Sequence, residues 1–151
     1  MTRNQLSLTF VALFSFAAFG SELKPFVSDG CSRFPDGLIS QQDLWLHCCI
    51  EHDFAYWKGG TSKERLHSDQ ELRQCVGETG HPLIGMLMFG GVRLGGSPLW
   101  PTPFRWGFGW DYPRIYGPLS PEELELAESQ TRKLEHDADG INSINTTEIA
   151  H

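Results

Sequence analysis

The run Cys48-Cys49-Ile50-Glu51-His52-Asp53, followed by Tyr56 and Gly59-Gly60, concentrates the groups of this chain that can do chemistry. Successive residues on a helix point about 100° apart, so His52 and Asp53 cannot serve one shared proton. They can fill two posts in one cleft. The imidazole suits a general base, and the carboxylate suits a ligand for a metal.

Vicinal cysteines rarely bond to each other, so Cys48 and Cys49 are expected to pair separately with Cys31 and Cys75. Cys48 shares a helical stripe with Leu44 and His52 that faces the next helix, which points it to Cys75. Cys49 lies about 100° away and is expected to take Cys31, holding the loop from Asp29 to Gly37 against the helix. Zinc binding by these cysteines in a cytosolic chain is the disfavoured alternative.

The crosslinks then set heights. At 1.5 Å per residue, His52 lies about 6 Å and Tyr56 about 12 Å along the first helix from the Cys48–Cys75 tie. Asp69 lies about 9 Å back along the second helix, level with the gap between them. A carboxylate there would orient the imidazole and stabilise its charged form. Asp53 is four residues after Cys49 and so shares the face to which the Cys31 loop is tied. Gly30, Ser32, Phe34, Asp36 and Gly37 of that loop can aim backbone carbonyls at a cation beside Asp53. Oxygen donors of this kind suit calcium rather than zinc.

The elements that must position these groups read as helices. The first is expected from a Ser40 cap to about Trp57, stopped by Gly59-Gly60. The second opens on a capping box of Thr61 and Glu64 and runs to about Val76, antiparallel to the first after so short a connection. Asp69, Leu72 and Val76 share one of its stripes. His81 to Leu94 reads as a third, apolar and looser helix. Ser97 to Pro118 carries prolines, glycines and Trp100, Trp106 and Trp110, which reads as an irregular aromatic arm packed over the first two helices in preference to a membrane-facing surface. Residues 119–136 form an acidic helical extension with Leu124, Ala127 and Leu134 on one side, and 137–151 read as a disordered tail.

Cys-Cys-x-x-His-Asp-x-x-Tyr with trailing glycines resembles the active-site helix of secreted phospholipase A2. Asp69 stands six residues before Cys75, as that family's second catalytic carboxylate stands before its partner cysteine, and Cys31 stands where its calcium-loop cysteine lies. The resemblance covers about Gly30 to Cys75 within a domain spanning 21–118. It implies a mainly α fold, with His52 as base, Asp69 as its orienting partner and Tyr56 bonded to Asp69. Calcium would sit on Asp53 and the carbonyls of Gly30, Ser32 and Phe34. The implied reaction is hydrolysis of the sn-2 ester of glycerophospholipids at a bilayer or micelle surface by a monomer. The loop Cys31-Ser32-Arg33-Phe34-Pro35-Asp36-Gly37 departs from the family's glycine-rich pattern, and Asp36 is a candidate extra ligand. Fewer cysteines point to the compact microbial branch, and the arm has no family counterpart. A catalytically silent lipid- or protein-binding module on the same fold, or a structural exported domain, are the rival readings.

Arg3, the apolar stretch Leu6 to Phe19 and the small residues before Ser21 read as a signal peptide over 1–20, with export to the periplasm or outside the cell. The chain has 151 residues and a formal charge of −7. From Pro121 onward there are eight acids and two bases, so the working domain is nearly neutral. That excludes a basic nucleic-acid surface. Of the bases, Arg33, Lys58, Arg105 and Arg114 are candidates to meet a lipid phosphate. His47 reads as a packing neighbour, and His67, His81 and His136 as solvated.

Overall fold

A computed structural model describes residues 22–148, with side chains to 136. The expected signal peptide over 1–20 lies outside the described residues, as do 149–151. The order is α1 (Leu46–Lys58), α2 (Ser62–Glu78), α3 (Pro82–Gly95) and α4 (Pro121–Glu148), with no strand among the described residues. None of these helices is long and apolar enough to cross a membrane.

Two disulfides join Cys31 to Cys49 and Cys48 to Cys75. From the second, contacts between α1 and α2 descend in opposite chain directions: Cys48 to Cys75, His52 to Asp69, and Tyr56 to Arg65. Thr61 caps α2 with both arms of the capping box, its side chain accepting from Glu64 N and its own N–H donating to the Glu64 carboxylate at 2.7 Å.

α1 starts later than Ser40. Leu38 and Gln41 exchange backbone bonds of 2.9 and 3.0 Å, and Trp45 N–H donates to Asp36 O. The Trp45 indole is buried and donates to Pro35 O at 2.7 Å. These contacts fold the segment back on the Cys31 loop, and they outweigh the roughly 1 kcal/mol that a serine cap brings.

The other end of α1 is closed by the arm. The last four carbonyls of a helix lack intrahelical donors. Here Ala55 O accepts from Gly59 N, Tyr56 O from Gly107 N at 2.7 Å, Trp57 O from Gly109 N at 3.1 Å, and Lys58 O from the Trp110 indole at 2.7 Å. The Trp106 indole donates to Gly60 O. Trp106 and Trp110 are buried, whereas Trp100 is exposed. Residues 97–118 form turns, bends and irregular chain, with no helix or strand.

Two clusters flank this arrangement. Trp45, both vicinal cysteines, Leu72, Val76 and Met88 bury one end of the helix pair. Leu23, Trp57, Trp110 and Ala127 bury the other. α4 joins the second cluster through Ala127 and through Gln130, whose amide donates to Leu23 O. Its expected stripe is narrower than Leu124, Ala127 and Leu134, since both leucines are exposed. The helix runs past His136 to Glu148, because nothing beyond 136 breaks it; Gly140 costs only about 1 kcal/mol.

Gly59 has φ 72°, and a Cβ there would lie 2.9 Å from the Gly107 Cα. Gly59→Ala is expected to cost about 2–4 kcal/mol from left-handed strain and overlap. Gly80 is also left-handed (φ 90°) but faces open space, so Gly80→Ala is expected to cost only about 1–2 kcal/mol. Urea denaturation of the two variants checks the order; equal losses would remove the close approach from the account.

Candidate active site

The four-residue intervals of α1 bring His52 and Tyr56 onto one line, and α2 presents Asp69 between them. His52 Nε2 lies 2.9 Å from Asp69 Oδ1, and the Tyr56 hydroxyl donates to the same oxygen at 2.8 Å. Asp69 has no exposed surface and His52 is buried. Tyr56 fits because Gly96 leaves room: a Cβ there would lie within 2.4 Å of the phenol ring.

Burial alone would push the Asp69 carboxyl up. Hydrogen bonds from His52, Arg93 and Tyr56 outweigh it and hold the group below the ordinary range. Tyr56 moves the other way, raised first by burial and then by the Asp69 charge, which keeps it a phenol that donates. With Nε2 turned to Asp69, Nδ1 is the imidazole nitrogen left to act on a substrate.

Two arginines complete this network, and neither was found by reading the sequence for chemistry. Arg65 is buried on α2, donating to the Tyr56 hydroxyl at 2.9 Å, to Tyr116 of the arm, and to the carbonyls of Val92 and Arg93 on α3. Arg93 Nη1 donates to Asp69 Oδ2 at 2.7 Å. Two signals existed: Arg65 is four residues before Asp69, and Arg93 is the lone charge in an apolar helix.

His52, Asp53 and Tyr56 line a cleft of ≈ 400 Å³ together with Gly30, Ser32 and Phe34 of the loop. Leu87, Met88 and Val92 of α3 and Phe104 of the arm make its remaining walls largely apolar. Gly30 and Ser32 are both left-handed (φ 75° and 56°), and the Cys31–Cys49 bond pins the loop between them. Asp36 is turned inward, where its Oδ1 accepts from Cys31 N at 2.7 Å. It therefore shapes the loop.

Asp53 is half-buried and accepts from the Ser28 hydroxyl at 2.7 Å. Burial pushes its carboxyl up to about 6, against the Ser28 bond. A desolvated carboxylate that shares the lining of one cleft with Gly30, Ser32 and Phe34 fits a hard cation such as Ca²⁺, whose charge would relieve the desolvation. His47 lies 3.4 and 3.5 Å from the sulfurs of Cys48 and Cys75, but these are spent in a disulfide and offer no thiolate to zinc.

The remaining candidates fall elsewhere. Arg105 is buried and donates to the carbonyls of Gly107 and Trp110, and Arg114 pairs with Glu123 at 2.6 Å. Both hold the arm in shape. Arg33 is exposed and lines the cleft; Lys58 closes α1. His67 pairs with Glu71 on the surface, while His81 is half-buried with its ring edge-on to Trp45, so it is not simply solvated.

No protein-family model, no characterised protein and no solved structure matches this chain. The site is therefore read from its residues and their geometry.

The Asp53 shift has a measurable consequence. An acid whose folded pKa is raised binds more protons in the native state, so stability falls as pH rises from 3.8 to about 6. With its partial exposure the cost at pH 8 is about 1–2 kcal/mol. Asp53→Asn is expected to stabilise the metal-free protein by that amount at pH 8 and by nearly nothing below pH 4. Urea unfolding in chelator at the two pH values checks this, and a pH-independent difference would contradict it.

Proposed function

We propose that this chain is an exported, calcium-dependent phospholipase A2 that hydrolyses the sn-2 ester of glycerophospholipids. It would belong with the secreted phospholipase A2 family, nearest its compact microbial branch. The observation that carries the reading is one apolar cleft onto which the His52–Asp69–Tyr56 network and Asp53 with the Cys31 loop both open. An acyl chain needs such walls, and an ester hydrolase needs a base beside an electrophilic centre.

In this reading His52 Nδ1 takes a proton from water, and Asp69 keeps the other nitrogen protonated and the ring aimed. Tyr56 holds the carboxylate. Asp53, Gly30, Ser32 and Phe34 hold Ca²⁺, which when bound supplies Lewis-acid polarisation of the ester carbonyl. Leu83, Met86 and Leu87 on α3 and Leu99 and Trp100 after it are exposed, and Leu87 lines the cleft. That placement supports a bilayer or micelle surface as the partner. The disulfides suit the oxidising compartment that export would provide.

Purified protein is expected to release fatty acid from phosphatidylcholine in mixed micelles, to stop when chelator is added and to resume with excess Ca²⁺. His52→Gln is expected to lower the rate by about 10³-fold or more. Activity indifferent to chelator would end the calcium reading. The loop Cys31-Ser32-Arg33-Phe34-Pro35-Asp36-Gly37, which departs from the family's glycine-rich pattern, favours one second reading, a silent module on the same fold; Ca²⁺ binding by calorimetry with no hydrolysis would support it.

A further inference from the structure

We propose that Arg93 is the positioning residue of the His52–Asp69 pair, holding the carboxylate oxygen that the imidazole does not use. Its catalytic consequence rests on the phospholipase reading, while the contact itself does not.

Asp69 Oδ1 takes both the His52 and the Tyr56 bonds, at 2.9 and 2.8 Å. Two bonds to one oxygen resist a turn about Cβ–Cγ but do not fix it, since that torsion has broad wells. The third bond, from Arg93 Nη1 to Oδ2 at 2.7 Å, sets the plane. It also supplies charge. A carboxylate with no exposed surface needs a compensating cation, and the Arg93 guanidinium at 2.7 Å is one.

Arg65 cannot take over that task in place. Its Nε is 3.9 Å from Oδ2 and already donates to Tyr56, while its Nη atoms hold Tyr116 and the carbonyls of Val92 and Arg93. Without Arg93, Oδ2 would turn toward the Arg65 guanidinium and draw Oδ1 off the imidazole. Arg93 also follows Gly91 and Val92, which line the cleft. The same side chain thus ties the cleft wall on α3 to the orientation of His52 on α1.

The test uses Arg93→Met, Arg93→Gln and Arg93→Lys in the whole protein, read by two measurements. One is the NMR resonance of the His52 Nε2 proton, assigned by its loss in His52→Gln. The other is steady-state hydrolysis of phosphatidylcholine in mixed micelles. Arg93→Met is expected to move that proton upfield or lose it to exchange, and to lower kcat about 10–100-fold with KM within about threefold. Arg93→Lys is expected to restore most of both. Should Arg93→Met fail to fold, Arg93→Gln carries the test with the same expected direction.

An unmoved proton resonance, whether or not activity falls, overturns the positioning role. So does an Arg93→Lys protein no better than Arg93→Gln. A wild-type protein with no phospholipase activity but the expected changes in the resonance would reject the phospholipase reading and support the role of Arg93.

Discussion

A carboxylate with no exposed surface stands where α1, α2 and α3 meet. Asp69 is acceptable there only because each neighbouring element sends it a donor. α1 supplies His52 and Tyr56, and α3 supplies Arg93. Leaving such a group unpaired would cost several kcal/mol, so the three helices cannot shift independently without breaking a charge-assisted bond. Arg65 repeats the pattern one turn away, joining Tyr56, the end of α3 and Tyr116 of the arm. The same contacts that hold the helices together aim the imidazole.

The aromatic arm answers a different requirement. α1 ends six residues after His52, inside the fold, where water is not at hand to satisfy its last carbonyls. The amides of Gly107 and Gly109 and the indole of Trp110 do so. Glycine allows the arm's backbone to touch the helix end, and tryptophan combines a reaching N–H donor with a large apolar body that fills the second core. Proline and glycine keep the arm out of regular structure, which leaves its N–H groups free to point at the helix.

The two site carboxylates are driven apart by their partners. Three donors, one of them a guanidinium, hold Asp69 ionised. Asp53 has a hydroxyl for a partner and is pushed up by burial. One is neutralised within the protein and the other is left short of positive charge at the mouth of a cleft. That division suits an orienting group and a cation ligand respectively.

Much of this was readable from spacing. The vicinal cysteines forced two different disulfide partners, and helical rise from Cys48 and Cys75 put Asp69 level with the gap between His52 and Tyr56. Thr61 and Glu64 announced the start of α2 through local bonds alone. Local patterns failed wherever a distant segment competed. The start of α1 moved from Ser40 because Trp45 is anchored on the Cys31 loop. The arm's purpose was hidden, since composition does not say which carbonyls a tryptophan will reach.

What the chain determined by itself was the set of helices and the interval-bound geometry along each, because hydrogen bonds within four residues and fixed rise carry that information. Only the packing of α3 and the arm onto the first two helices decided the arginines, the shape of the cleft and the ionisation of each acid. Those depend on burial and on partners tens of residues away, which no local period encodes.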